Sequence, residues 1–300
     1  MYNRLLDAFI KTAESGSFTK ASSSLFLSPT AIMKQVNALE DHLGLRLLER
    51  TPSGVALTDA GRSLYNDAKF IISYSEAAIE RAREVSSAQK VFRVGTSILN
   101  PAKPFVDLYY RLAGAFSDYK LSLIPFEDDH EGIVSEVEKL GAKFDFLVGI
   151  CDSRTWLFHA DFIQLGRYRK MVSVPRGHRL ADRKRISVSD LSGETIMMVP
   201  EGDSGVNDFL RNDLKRNWPG IHIVDTSQFY DVSVFNKAVE DGAVLLTTEC
   251  WKNVHPSLVS LEVDWDYSIP YGILFSKRPE EKVLRFAEEA RHLLEEENDR

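Results

Sequence analysis

The feature that most narrows the fold lies in the first 44 residues, where three short helical patterns stand between two tight breaks. Leu5, Leu6, Phe9, Ile10 and Ala13 recur at helical spacing. Gly16 then suits a left-handed helix end, and Ser17 suits the cap of a following helix. Phe18, Ala21 and Leu25 mark one face of a second helix over 18–26. After the turn Leu27-Ser28, Ser28 is a good N-cap and Pro29 stands where a missing N–H costs nothing. A third helix from Pro29 to about His42 is expected, with Ile32, Val36, Leu39 and Leu43 as its buried stripe and Gly44 as its end.

Two short helices joined by a tight turn predict a helix-turn-helix, in which the second helix enters the major groove of DNA. On the face away from the stripe, the third helix offers Thr30, Met33, Lys34 and Asn37, with Ser28 at its start. Met33 either touches a thymine methyl or fills the core. Leu47–Arg50 and Val55–Leu57 suit the strands of a hairpin wing, with Thr51-Pro52-Ser53-Gly54 as its turn. Arg50, Thr51 and Ser53 are the wing residues expected at DNA.

These residues resemble the winged helix-turn-helix of the LysR-type transcriptional regulators. The match runs in register from Phe9 through Ala13-Glu14-Ser15-Gly16-Ser17-Phe18, Ala21, Leu27-Ser28, Gln35-Val36, Leu39-Glu40, Leu43-Gly44 and Leu47-Leu48-Glu49-Arg50 to Leu57-Thr58 and Gly61. It implies double-stranded DNA as a partner, read by the helix at 29–42 and the wing near Arg50. Two departures bear on specificity. Pro29 stands where the family usually has Gln, which removes a bidentate amide contact to adenine. Met33 replaces a common Ser.

Charge sharpens the expectation. The 300 residues carry a net −7, with a sequence pI near 5.6, which argues against a general polyanion binder. Residues 1–60 hold six basic and six acidic groups, whereas 91–300 hold 26 basic and 34 acidic. A neutral head binds phosphates weakly alone, so two copies per site are expected. From Arg62 to Gln89 no Pro or Gly intervenes. Leu64, Ala68, Ile71, Ser75, Ala78, Ala82 and Val85 step alternately by four and three, a heptad seam. Since nothing in 1–60 is left to cover so long a helix, Leu64, Ala68, Ile71, Ala78 and Ala82 are expected at a dimer contact rather than against their own domain. The resemblance implies the same, as a homodimer or homotetramer.

The remaining residues alternate short β-rich runs with amphipathic stretches, the pattern of an α/β domain. Strands are expected at 91–95, 121–125, 144–150, 168–174, 195–199, 221–224, 243–247 and 269–275. Helices are expected at 104–115, 131–141, 204–217, 231–241 and 280–297. Asp145-Phe146, Val148-Gly149-Ile150, Val174-Pro175, Gly177-His178, Asp190-Leu191-Ser192-Gly193 and Gly242-Ala243-Val244-Leu245-Leu246 resemble the effector domain of the same family. That implies two Rossmann-like lobes, similar to periplasmic binding proteins, around a ligand cleft. The expected organisation is a head at 1–60, a linker helix at 61–89 and an effector domain at 91–300. Lobe one would be 91–161 with 267–300, and lobe two 162–266.

Ligands in such sheets sit where strands end and helices begin. Thr96 and Ser97, facing Ser204 and Gly205, are candidate contacts for a small polar effector, with Phe126, Phe229 and Tyr230 as an apolar wall. The bland alternative for Thr96, Ser97 and Ser204 is helix capping. Gly202-Asp203-Ser204-Gly205 has the look of a protease nucleophile segment but lacks its His partner motif and all-β fold. Seven scattered histidines without His-Glu-x-x-His or Cys-x-x-Cys give no reason to expect a metal or cofactor. His130 beside Asp128, Asp129 and Glu131 reads as a solvated acidic loop. Cys151 and Cys250 allow a redox pair across the cleft, or two inert thiols. No run approaches the ~18 apolar residues of a membrane span, and Lys11 and Glu14 interrupt any leader, so a cytoplasmic, non-enzymatic regulator is expected. A hydrolase in the second part, or a ligand-binding module whose head binds no DNA, are the other classes weighed.

Overall fold

A computed structural model describes residues 2–51, 54–87, 90–128 and 132–298. The chain divides into two units, 1–87 and 88–300. In the first, helices α1 (Leu5–Ser15), α2 (Phe18–Leu25) and α3 (Pro29–Leu43) precede a hairpin of β1 (Leu48–Thr51) and β2 (Gly54–Leu57), then helix α4 (Asp59–Ser87). Phe9, Ile32, Leu39 and Leu47 fill the core, each contributing about 1.5–3 kcal/mol by burial. Ser28 caps α3, its Oγ accepting from the Ala31 N–H at 3.2 Å, and Pro29 holds the first turn. Gly16 ends α1 at φ +62°.

Three local expectations are corrected. Ser17 opens α2 with no side-chain cap; the Ser15 hydroxyl donates instead to the Ser17 carbonyl at 2.9 Å. The second helix stops at Leu25, and Phe26 turns into left-handed backbone at φ +54° with its ring 95% exposed. Leu43 is 40% exposed. The buried stripe of α3 ends instead on Glu40, whose Oε1 accepts from the N–H groups of Leu47 (2.7 Å) and Leu48 (3.0 Å), while Oε2 pairs with Arg46 at 2.8 Å. One buried carboxylate thus fastens the hairpin to α3. Gly61 closes the other side. A Cβ there would lie 1.9 Å from the Leu47 carbonyl oxygen, so only glycine lets α4 approach so closely.

The start of α4 belongs to the head. Ala68 is fully buried in the head core, with Leu64, Tyr65 and Ile72 packed beside it. The expectation that residues 1–60 leave nothing to cover this helix is therefore wrong for its first half. Beyond that, Ile71 is 45% exposed and Phe70 stacks on Tyr74 at an exposed face. Ala78 is half-buried and Ala82 exposed; the side chain of Val85 lies outside the described residues.

The second unit opens with β3 (Lys90–Thr96), α5 (Lys103–Arg111), β4 (Tyr119–Pro125), α6 (Gly132–Glu138), β5 (Phe146–Ile150) and α7 (Arg154–His159). There follow β6 (Ala160–Pro175), β7 (Arg185–Ile186), β8 (Thr195–Met198), α8 (Gly205–Asn217), β9 (His222–Asp225), α9 (Val232–Glu240) and β10 (Val244–Thr248). The chain closes with β11 (Leu258–Val263), β12 (Ser268–Ser276) and α10 (Glu281–Asn298). The strand order is β4-β3-β5-β12-β6-β10-β8-β9, with β11 on β6 and β7 on β11. The trio β4, β3, β5 is parallel, as is the trio β10, β8, β9. An aromatic core of Phe92, Phe105, Phe116, Phe146 and Phe286 lies under the first trio, and an aliphatic core around Val172, Ile196, Leu210 and Val244 under the second.

Strand β6 joins the two lobes. Its residues from Ala160 to Arg169 pair with β12, and those from Lys170 to Pro175 pair with β10 and β11. The sequence pattern marks only 168–174 as strand and misses β11, β7 and α7. The register of β6 with β12 shifts between Tyr271 and Gly272, where a Cβ would stand 1.9 Å from the Ile163 carbonyl oxygen.

Candidate functional site

A cavity of about 100 Å³ opens at the carboxyl ends of the two parallel trios. The loop after β3 supplies Leu99 and Asn100, β6 supplies Tyr168 and Lys170 as its floor, and the segments after β8 and β10 supply Ser204 and Trp251. This is where an open α/β sheet presents free helix N-termini.

Those N-termini are already occupied by the chain itself. At α8, Asp152 Oδ2 accepts from Ser204 Oγ at 2.5 Å and from the Val206 N–H at 3.0 Å. Reciprocally, Asp203 Oδ1 accepts from the N–H (2.9 Å) and hydroxyl (2.7 Å) of Thr155 at α7. A β-bridge joins Ser153 to Ser204, and the Trp251 indole donates to the Leu99 carbonyl at 2.8 Å. Beside the first strand, Asp128 accepts from Ser97 Oγ (2.7 Å) and from the Leu99 N–H (2.9 Å). Carboxylates supplied by the protein therefore sit where helix ends attract anions.

The expected ligand contacts divide accordingly. Ser204, Phe229 and Tyr230 line the cavity. Tyr230 donates its hydroxyl to the Leu246 carbonyl at 2.8 Å, so it presents its ring. Thr96 and Ser97 do not line it: Thr96 Oγ1 accepts from the Ala102 N–H, and Ser97 serves Asp128. Gly205 is not on the wall, and Phe126 packs on Phe144 with ring centroids 5.8 Å apart. Ser204 faces Asp152 rather than an imidazole, which leaves it without a base for nucleophilic chemistry. Among the described residues no group of His, Cys, Asp and Glu could hold a metal ion. Residues 129–131, with His130, lie outside the description.

Lys170 is the wall residue that the sequence reading overlooked. It is 5% exposed, and burial pushes its ammonium down to about 8, opposed by Asp152 and then by Cys250. No alternation marks it, because every residue from Lys170 to Val174 is buried, on both faces of β6. Both cysteines are free. Burial pushes the Cys151 thiol up to about 12 and the cavity-lining Cys250 up to about 11, so neither is a reactive thiolate at neutral pH.

On the head, Ser28, Thr30, Lys34 and Asn37 are exposed along one side of α3, and Met33 is half-buried. Thr51 is half-buried at the end of β1, and the backbone of Arg50 pairs with Val55. Ser53 lies outside the described residues.

Residues 3–62 match the family model described as "Bacterial regulatory helix-turn-helix protein, lysR family". The head of this chain is thus a lysR-family helix-turn-helix domain. It is 28% identical over 202 residues to the uncharacterized HTH-type transcriptional regulator YvbU of Bacillus subtilis, covering 66% of this chain and 65% of that protein. It is 27% identical over 224 residues to the HTH-type transcriptional regulator CysL of the same organism, covering 72% and 71%. The fold of the chain is similar to that of CbnR, a LysR family transcriptional regulator, at a TM-score of 0.66 and 20% identity, covering 97% of this chain and 99% of CbnR. The family is one of DNA-binding transcriptional regulators, not enzymes. Among the described residues no helix is long and apolar enough to cross a membrane.

Proposed function

We propose that this chain is a cytoplasmic LysR-type regulator that binds a roughly palindromic operator as a homodimer or homotetramer, and that a small effector in the cavity modulates that binding. The observation that carries the reading is the match of residues 3–62 to the lysR-family head, with Thr30, Lys34 and Asn37 on the open face of α3. Arg50, Thr51 and Ser53 of the hairpin supply the adjacent contacts. The working divisions are the head at 1–60, the linker helix at 61–89, and an effector domain at 91–300 whose lobes exchange near 162 and 266. The exposed Ile71, with Ala78 and Ala82, supplies the self-association face; Leu64 and Ala68 support it from the head core. An effector shifts operator binding only as far as it prefers one state of the chain over another.

Selection of DNA from a random pool by the full chain tests this. Enrichment of a sequence with two-fold symmetry is expected. Lys34→Ala should weaken binding to it and lower the salt slope by about one. Failure to enrich any sequence overturns the reading.

A further inference from the structure

The cavity carries three polar groups for which the described residues supply no hydrogen-bond partner. Among the described residues no hydrogen bond engages Lys170 Nζ and no carboxylate oxygen lies within 4.0 Å of it. The indole N–H of Trp156, at 7% exposure, and Oδ1 of Asn207, at 8%, are buried without a partner. All three residues line the same cavity. A buried charge or polar atom without a partner is costly, and native structures keep such groups mainly where a ligand or ion completes them. The rest of the wall is largely apolar and aromatic, including Ile133, Val148, Tyr168, Phe229 and Trp251.

From this we infer that the effector is a small organic acid, whose anionic group pairs with Lys170 while its apolar body lies against the aromatic wall. The inference rests on the cavity being the effector site. The two helix ends beside it are taken by Asp152 and Asp203, so Lys170 is the cation left to receive an anion. Trp156 Nε1 supplies a second donor for the same group or for a substituent, and Asn207 supplies an acceptor. The groups facing Lys170 are Asp152, from the loop after β5, and Cys250, from the segment after β10. Cys250 is uncharged at neutral pH. Asp152 spends one oxygen on Ser204 and Val206.

The test is calorimetric titration of the full chain at pH 7 with three acids (benzoate, phenylacetate and hexanoate), each against its neutral amide. At least one acid should bind tenfold or more tighter than its amide. Lys170→Met should erase that preference, and Lys170→Gln should do the same if the Met variant does not fold. Above pH 8 the acid should lose affinity about tenfold per pH unit and the amide should not, because the ammonium has lost its proton. Equal binding of acid and amide, a preference surviving both substitutions, or no acid binding at 10 mM would each overturn the assignment. A chain that selects its operator yet shows one of these results keeps the regulator reading and loses only the acid. A chain that binds acids through Lys170 but selects no DNA does the reverse.

Discussion

Asp152 Oδ2 stands 2.5 Å from Ser204 Oγ and 3.0 Å from the Val206 N–H, so a carboxylate from one lobe caps the first helix of the other. Removing it strands a hydroxyl and an N–H at the end of α8. Asp152→Ala should therefore cost about 1–3 kcal/mol, read by urea denaturation of the full chain, and Asp152→Asn should cost less. A change under about 0.5 kcal/mol would show that water replaces the latch at no cost.

Lys170→Met should make the chain more stable. The native ammonium titrates near 8, against 10.5 for an unburied lysine. Below pH 8 the folded chain carries the full cost of the buried charge. Between about 8 and 10.5 the unfolded chain binds more protons than the native one, so wild-type stability rises with pH. The Met variant should gain on the order of 3 kcal/mol at pH 7, and the gain should shrink toward pH 10.5. Denaturation midpoints at pH 7 and pH 10 decide it; no gain at pH 7 would mean that water reaches Nζ.

Gly61→Ala drives a methyl group into the Leu47 carbonyl, which is backbone and cannot swing aside. A loss of about 2–4 kcal/mol is expected, visible as a lower Tm, together with weaker operator binding because β1 begins one residue after Leu47. A wild-type Tm would show that α4 can shift outward without loss.

Phe26 combines φ +54° with a ring that is 95% exposed. Phe26→Asn keeps the turn with a residue suited to left-handed backbone, and it gives up little buried surface. It should stabilise the head by about 0.5–1 kcal/mol. If the variant is less stable, the ring has a packing role that its exposure conceals.

The head was largely legible because its determinants are local. Ser28-Pro29 writes a helix start, Gly16 and Gly44 write helix ends, and both φ values are left-handed as those positions require. Leu43 misled because the periodic stripe continues in the chain after the neighbours that would bury it have ended. The tie made by Glu40 is a contact over seven and eight residues, which no periodicity reports. The strand runs of the second unit were legible as apolar segments, yet β11 was not, because Ser260 and Glu262 interrupt its apolar residues. Within the cavity, Phe229, Tyr230 and Ser204 followed from strand ends. Lys170 was hidden because its burial is imposed by walls from distant segments around Trp251 and Trp156. Thr96 and Ser97 misled for a related reason: the carboxylate that claims Ser97 comes from Asp128, 31 residues further on.

One hydrogen-bonded strand, rather than a loose tether, runs between the lobes: β6 continues from its ladder with β12 into its ladders with β10 and β11. Ribbons of this kind resist stretching and yield to torsion. A change passed through β6 is therefore expected as a twist rather than an extension, since an extended strand is already near its full length, and the register shift between Tyr271 and Gly272 is the irregular point of its ladder with β12.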